Sequence, residues 1–222
     1  MDNPRVFDHE MNELKDTILK MGVMVQGLIH KAVDSLKNLD RNLAEEVIKE
    51  DEKVDQLELE IDEKCIQLVA LRQPEASDLR FLMTGMRISN DLERIGDLAE
   101  DIAERAVELS GAPLLKPLID IPKMGAITEE EISLILDAFV NRNSAKAKSV
   151  WDKERQVDKL RDMVHDELVG IMSQDSSTVS RALPLLLVSR HLERISDHVT
   201  NIAEDVIYMV EGRVVKHGGS PS

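Results

Sequence analysis

The residues with the most chemistry to offer are carboxylates in pairs. Leu92-Glu93-Arg94-Ile95-Gly96-Asp97 recurs one hundred residues later as Leu192-Glu193-Arg194-Ile195-Ser196-Asp197, and each copy carries Glu-x-x-x-Asp. On a helix of 3.6 residues per turn, that spacing stacks both acids on one face, about 6 Å apart along the axis. Two acids so placed repel one another by about 0.2–0.5 kcal/mol. Solvent, the adjacent Arg94 and Arg194, or a cation must compensate. One such pair alone is ordinarily a solvated face; a repeated pair asks for a further explanation.

A second set echoes the first. Asp51-x-x-x-Asp55 sits just ahead of Leu57, and Glu154-x-x-x-Asp158 just ahead of Leu160, at an offset of 103. The candidate site residues are therefore Asp51, Asp55, Glu93 and Asp97 in the first half, and Glu154, Asp158, Glu193 and Asp197 in the second. If the helices that carry them are antiparallel neighbours, four carboxylates converge in each half. Four acids without His or Cys make an all-oxygen donor set suited to hard cations such as Fe3+, Mn2+, Mg2+ or Ca2+. A solvated acidic face is the alternative.

Other chemistry finds little support. A di-iron oxidase of the ferritin kind needs inward-facing Glu-x-x-His, and no Glu-x-x-His occurs; Asp162-x-x-His165 is a lone near-match. There is no P-loop, no Gly-rich dinucleotide motif and no Ser or Cys nucleophile context. The sequence argues for a protein that is not an enzyme.

The elements that must position these acids are helices. Met11, Leu14, Ile18, Met21, Val25, Leu28 and Ala32 step by three and four, and Leu36, Leu39 and Leu43 extend the stripe towards a break near Asp40-Arg41-Asn42. Val47, Val54, Leu57, Ile61 and Leu68 give a second helix that ends at Gln73-Pro74, because the residue before a proline is pushed out of the α region. Ser77 or Asp78 caps a third, with Ile88, Leu92, Ile95, Ala99, Ile102 and Ala106 as its core face. Winding it at 100° per residue puts Glu93, Asp97, Glu100 and Glu104 opposite that face, so the acids belong on the bundle surface.

Ser110-Gly111-Ala112-Pro113, Pro117 and Pro122 form the one clear break. Thr128-Glu-Glu-Glu131 reads as a capping box for the fourth helix, with a start near Asp120 as the other option. Val150, Val157, Leu160, Val164, Leu168 and Ile171 mark the fifth, and the sixth runs to about Glu211. No strand pattern appears. The expectation is an all-α chain of two tandem three-helix bundles related by an internal repeat, over 1–112 and 118–213, with a flexible tail at 214–222.

Composition agrees. The 222 residues are 42% hydrophobic but only 2% aromatic, so the core is built from aliphatic side chains and Met, as helix packing allows. A net charge of −15 repels nucleic acid and anionic membrane surfaces. No apolar stretch approaches the ~20 residues a membrane span needs, and the N-terminus lacks a signal peptide's apolar run. The single Cys65 fits a reducing, cytoplasmic setting.

Leu71-Arg-Gln-Pro74, Ser77-Asp-Leu-Arg80 and Asn90-Asp-Leu-Glu-Arg-Ile-Gly-Asp97 resemble the first-repeat signature of the PhoU family. Arg190-His-Leu-Glu-Arg-Ile-Ser-Asp197, continuing to Glu204, is similar to its second-repeat signature, with Ser196 in place of the usual glycine. Phe7 to Glu13, Met21-Gly22, Leu136 to Phe139 and Val206 to Gly212 fit as well, so the resemblance covers essentially the whole chain. It implies two three-helix bundles with pseudo-twofold symmetry, often dimeric. It also implies a cytoplasmic negative regulator of phosphate uptake and the phosphate-starvation response. Such a regulator couples the ATPase subunit of a phosphate ABC transporter to a phosphate-sensing histidine kinase.

Some members hold iron, zinc or other metal clusters on Glu/Asp-x-x-x-Asp pairs, which map here onto the eight acids named above. Iron leads that expectation, with zinc, manganese, magnesium or calcium behind it. A metal-storage protein and an accessory regulator of a different transporter are the competing functions.

Overall fold

The apolar stripes set the architecture. In the computed structural model, which describes residues 4–216, 220 and 221, helix α1 (Pro4–Asn38) buries Leu14, Ile18, Met21, Val25, Leu28, Ile29, Ala32 and Leu36 on one side. The chain turns at Leu39, whose φ of 52° ends the helix, and at Asp40, whose carboxylate accepts the Leu43 N–H at 3.1 Å and caps α2 (Arg41–Arg72). Leu39 and Leu43 thus fall on either side of the break, not on one continuous stripe. Gln73, at φ 46°, closes α2 ahead of Pro74, and α3 (Ala76–Leu109) returns antiparallel with Ile88, Leu92, Ile95, Ala99, Ile102 and Ala106 buried.

The second half repeats this closely. Helix α4 (Asp120–Val140) leads into a turn through Arg142, φ 49°, and then Asn143, whose side chain accepts the Lys146 N–H at 2.9 Å. Leu39 and Arg142, and Asp40 and Asn143, are each 103 residues apart: the same turn is built twice. A short α5 (Ser144–Lys148) and α6 (Val150–Gln174) together stand where α2 does, separated at Ser149. A 3-10 turn at Ser176–Thr178 leads into α7 (Val179–Glu211), which ends where Gly212, at φ 69°, donates its N–H to the Tyr208 carbonyl at 2.9 Å.

Helices α1, α2 and α3 pack on one another, as do α4, α6 and α7, and the halves join where α3 lies on α7 and α1 on α4. The fold is two tandem three-helix bundles. The 103-residue offset pairs buried Ile18 with Ile121, Met21 with Met124, Ile29 with Ile132 and Leu36 with Phe139. It drops to 100 in the third helices because the second half has three fewer residues between its acid pairs.

The α1–α4 crossing shows the pseudo-twofold directly. A Cβ on Gly22 would lie 2.4 Å from the Leu136 side chain, and a Cβ on Gly125 would lie 3.0 Å from Val33. Gly22 corresponds to Gly125 and Val33 to Leu136, so one close approach is made twice.

Three local expectations are corrected. Ser77 and Asp78 lie inside α3, which begins at Ala76 with Glu75 at its N-cap and no side-chain capping bond. Thr128 caps nothing: the helix already begins at Asp120, and Thr128 is fully buried, donating its hydroxyl to the Gly125 carbonyl at 2.8 Å. A box-like motif inside a helix competes with the stronger apolar period around it. In the tail, Val215–Lys216 pairs antiparallel with Ser220–Pro221, a ladder too short to leave an alternating pattern; residues 217–219 and 222 of the expected tail lie outside the described residues.

The crossing gives a test. Gly22→Ala and Gly27→Ala gain the same helix propensity, yet nothing lies within 4 Å of a Cβ on Gly27. Gly27→Ala should be neutral or stabilising by up to ~1 kcal/mol. Gly22→Ala must displace Leu136 and should be less stable than Gly27→Ala by about 1–3 kcal/mol, read from urea denaturation.

Candidate metal centre

The site is made by two apolar seams that carry acids on their flank. Val54 and Ile61 of α2 are fully buried, as are Leu92, Ile95 and Ala99 of α3, and zipping them together brings the neighbouring carboxylates with them. Asp51 is drawn in furthest, at 5% exposure. Its Oδ1 would be 2.5 Å from a Cβ at position 96, so Gly96 is the residue that lets this carboxylate lie against the α3 backbone. That oxygen has no hydrogen-bond partner.

Carboxylate oxygens of Asp51, Asp55 and Asp97 all lie within 4.8 Å of one another, and among the described residues no other triad of His, Cys, Asp or Glu is drawn so close. Glu93, one turn before Asp97, faces the same group: burial raises its carboxyl, and Asp97, Glu58 and Asp55 add to that against Arg94. The exposed Arg94 reaches across with its Nη1 2.9 Å from Asp97 Oδ2 and its Nε 3.2 Å from Glu93 Oε2. Burial pushes the Asp51 carboxyl up to about 7, with Asp55, Glu100, Asp97 and Glu93 contributing in that order. Glu100, raised first by burial and then by Glu104 and Asp97, is therefore a further member of the cluster. Reading the acids in pairs missed it, although it lies on the same surface of the helix.

In the second half the four expected acids also face one another. Burial raises Glu154 and Asp197 first, each with Asp158 as the next cause, and raises Glu193 against the opposing pull of Arg161. The Arg161 guanidinium lies 3.2 Å from Glu193 Oε1 and 3.9 Å from Asp158 Oδ1.

An unexpected acid stands behind this cluster. Glu131 on α4 is fully buried; its Oε1 accepts the Ser196 hydroxyl at 2.8 Å and its Oε2 has no partner. Burial pushes it up to about 8, with Glu154 and Asp197 adding to the shift. The signal available in the sequence was the repeat: at an offset of 103, Glu131 falls on Leu28, a core position. Cys65 offers no thiolate, since burial pushes its thiol up to about 12.

The donor set of the first cluster fits a hard multivalent cation. All its ligands are carboxylate oxygens, and one of them, on Asp51, is buried and unsatisfied. Asp51, Asp55, Glu93 and Asp97, with Glu100 beside them, would hold it.

Against known proteins, the PhoU domain matches twice, over residues 18–106 and 121–206. A phosphate-specific transport system accessory protein PhoU homolog from Aquifex aeolicus is 43% identical over 208 residues, covering 94% of each chain. One from Clostridium acetobutylicum is 38% identical over 95% of this chain and 97% of its own. The crystal structure of PhoU from Pseudomonas aeruginosa superposes with a TM-score of 0.88 at 36% identity, covering 93% of this chain and 99% of that one. The phosphate transport system regulatory protein PhoU from Streptococcus pneumoniae gives 0.89 at 31% identity, covering 95% and 100%.

The raised carboxyls fix the sign of a pH effect. Asp51 binds its proton more tightly folded than unfolded, so ionising it costs stability as pH rises from about 4 to about 7, on the order of a few kcal/mol; Glu131 extends the same loss to about 8. Glu10, Glu50 and Glu211, held low by Arg72, Lys31 and Lys148 respectively, act only below that window. Metal-free protein in chelator should therefore melt at a lower temperature at pH 8 than at pH 5.5, and Asp51→Asn should flatten that slope. Equal slopes in the two proteins would remove Asp51 from the account.

Proposed function

The chain belongs to the PhoU family, and on that premise we propose that it is an accessory regulator of phosphate transport. It acts in the cytoplasm as a negative regulator of phosphate uptake and of the starvation response. Its role is that of an adaptor between the ATPase subunit of a phosphate ABC transporter and a phosphate-sensing histidine kinase, and its working form is a homodimer. It is not an enzyme.

The relation over nearly the full length carries this reading: both halves match the PhoU domain, and relatives covered over 94% and 97% of their own length are named as phosphate-specific transport system accessory protein homologs. The physics is compatible. A charge of −15 disfavours direct work on nucleic acid, and no helix among the described residues is long and apolar enough to cross a membrane. Control of genes by such a chain is exerted through a protein partner.

The cation is part of the proposal. Held by Asp51, Asp55, Glu93 and Asp97, it ties α2 to α3 and neutralises carboxylates that otherwise repel. The orphaned, buried Oδ1 of Asp51 supports it. Iron is the favoured ion for this oxygen set, with zinc, manganese, magnesium or calcium as alternatives. The clusters also support a second reading, a metal store, in which bound metal rises with metal supply and phosphate has no influence.

A strain lacking this chain, grown in ample phosphate, should express its starvation-response genes, and the wild-type chain should restore repression. A tagged chain should co-purify with the transporter ATPase and the kinase. Repression that survives the deletion would overturn the regulatory reading.

A further inference from the structure

The two acid clusters are related by the repeat, yet they are not chemically equivalent. Following the offsets of 103 and 100, the first-half ring Asp51, Asp55, Glu58, Glu93, Asp97, Glu100 becomes Glu154, Asp158, Arg161, Glu193, Asp197, Thr200. At these six positions six carboxylates become four and one changes from acid to guanidinium, while the buried Glu131 of α4 stands behind the second ring.

The geometry follows the chemistry. Arg161 is 32% exposed at its side chain and lies 3.2 Å from Glu193 across the seam, 3.9 Å from Asp158 on its own helix, and 3.2 Å from the more exposed Asp162. In the first half the same position is Glu58, a carboxylate where the second half has the guanidinium. The cation present there is Arg94, 55% exposed, which pairs with Glu93 and Asp97 of its own helix and does not bridge to α2 among the contacts described. Position 196 tells the same story. Gly96 lets Asp51 close on the α3 backbone, whereas the Ser196 hydroxyl bonds Glu131. The tight carboxylate triad forms in the first half.

We propose that this chain carries one cation site and not two: the second cluster is closed by Arg161, whose guanidinium does between α6 and α7 what a bound ion does between α2 and α3. A guanidinium is always charged and presents a planar fork of donors to carboxylates, so it supplies the same neutralisation without an exchangeable ion. The two bundles thereby respond differently to metal. One is set by the ion available, the other is fixed. This rests on the first cluster's taking a cation, and it concerns residues that the family's Glu/Asp-x-x-x-Asp pairs do not include.

The test uses Mn2+ as the probe. Full-length protein is stripped with chelator, returned to excess Mn2+, freed of unbound ion and assayed for bound manganese. Wild type and Asp197→Asn should retain equal amounts, and Asp97→Asn should lose it. Arg161→Glu, which copies Glu58 into the second half, should gain manganese that Asp197→Asn in the same chain removes. A loss of manganese in Asp197→Asn alone, or no gain in Arg161→Glu, would overturn the inference.

A second readout needs no metal. In chelator, Arg161→Gln should lower the melting temperature by about 2–4 °C, whereas Glu58→Gln should leave it unchanged or raise it. An unchanged Arg161→Gln removes Arg161 as counter-ion whatever the metal result. A wild type that binds no manganese while Arg161→Gln melts early overturns the cation reading of the first cluster and supports the counter-ion role.

Discussion

Like-charged carboxylates are held against one another along the seam of α2 and α3, and the rest of the molecule has to tolerate that. The apolar stripes impose it. Each fully buried aliphatic side chain contributes ~1.5–3 kcal/mol, while each like-charged helical pair costs only a few tenths. Val54 and Ile61 locked against Leu92, Ile95 and Ala99 therefore decide the helix positions, and the acids follow. What the acids lose is hydration, and Asp51 loses most of it. The seam is stable because it is greasy and charged with potential because its flank is not.

The repeat solves this problem in two ways. Both halves use the same turn, Leu39-Asp40 and Arg142-Asn143, and the same glycine approach, Gly22 and Gly125, so the scaffold has been kept. The charges have diverged on that scaffold. Across the joint, Arg87 pairs with Asp205 at 2.8 Å and the His198 ring lies 2.8 Å from Asp91, so α3 reports its position to α7 through polar contacts as well as packing.

The helical architecture could be read from the sequence because long apolar stripes of period 3.6 dominate every other local signal. The acid pairs were readable for a related reason: Glu93 with Asp97 and Asp51 with Asp55 repeat at fixed offsets, and repetition survives without coordinates. What spacing could not convey was depth. Reading the acids as a pair gave Asp51 and Asp55 one depth, although Asp51, four residues after Val47 and three before Val54, is pulled under the seam and Asp55 is left at the surface. Glu131 looked like a solvated cap residue because its neighbours Glu129 and Glu130 are polar, and only its correspondence with Leu28 betrays a core position. The role of Arg161 needed both halves laid on one another in space.

Hydrogen exchange, followed by mass spectrometry on chelator-treated protein with and without Mn2+, asks whether the first acid seam is a cation clamp between α2 and α3. For a clamp, exchange should slow on adding Mn2+ in the helical turns around Asp51 to Glu58 and Glu93 to Glu100, with the turns around Glu154 to Arg161 and Glu193 to Thr200 unchanged. Exchange that is indifferent to Mn2+ in α2 and α3, or that slows equally in both halves, would contradict it.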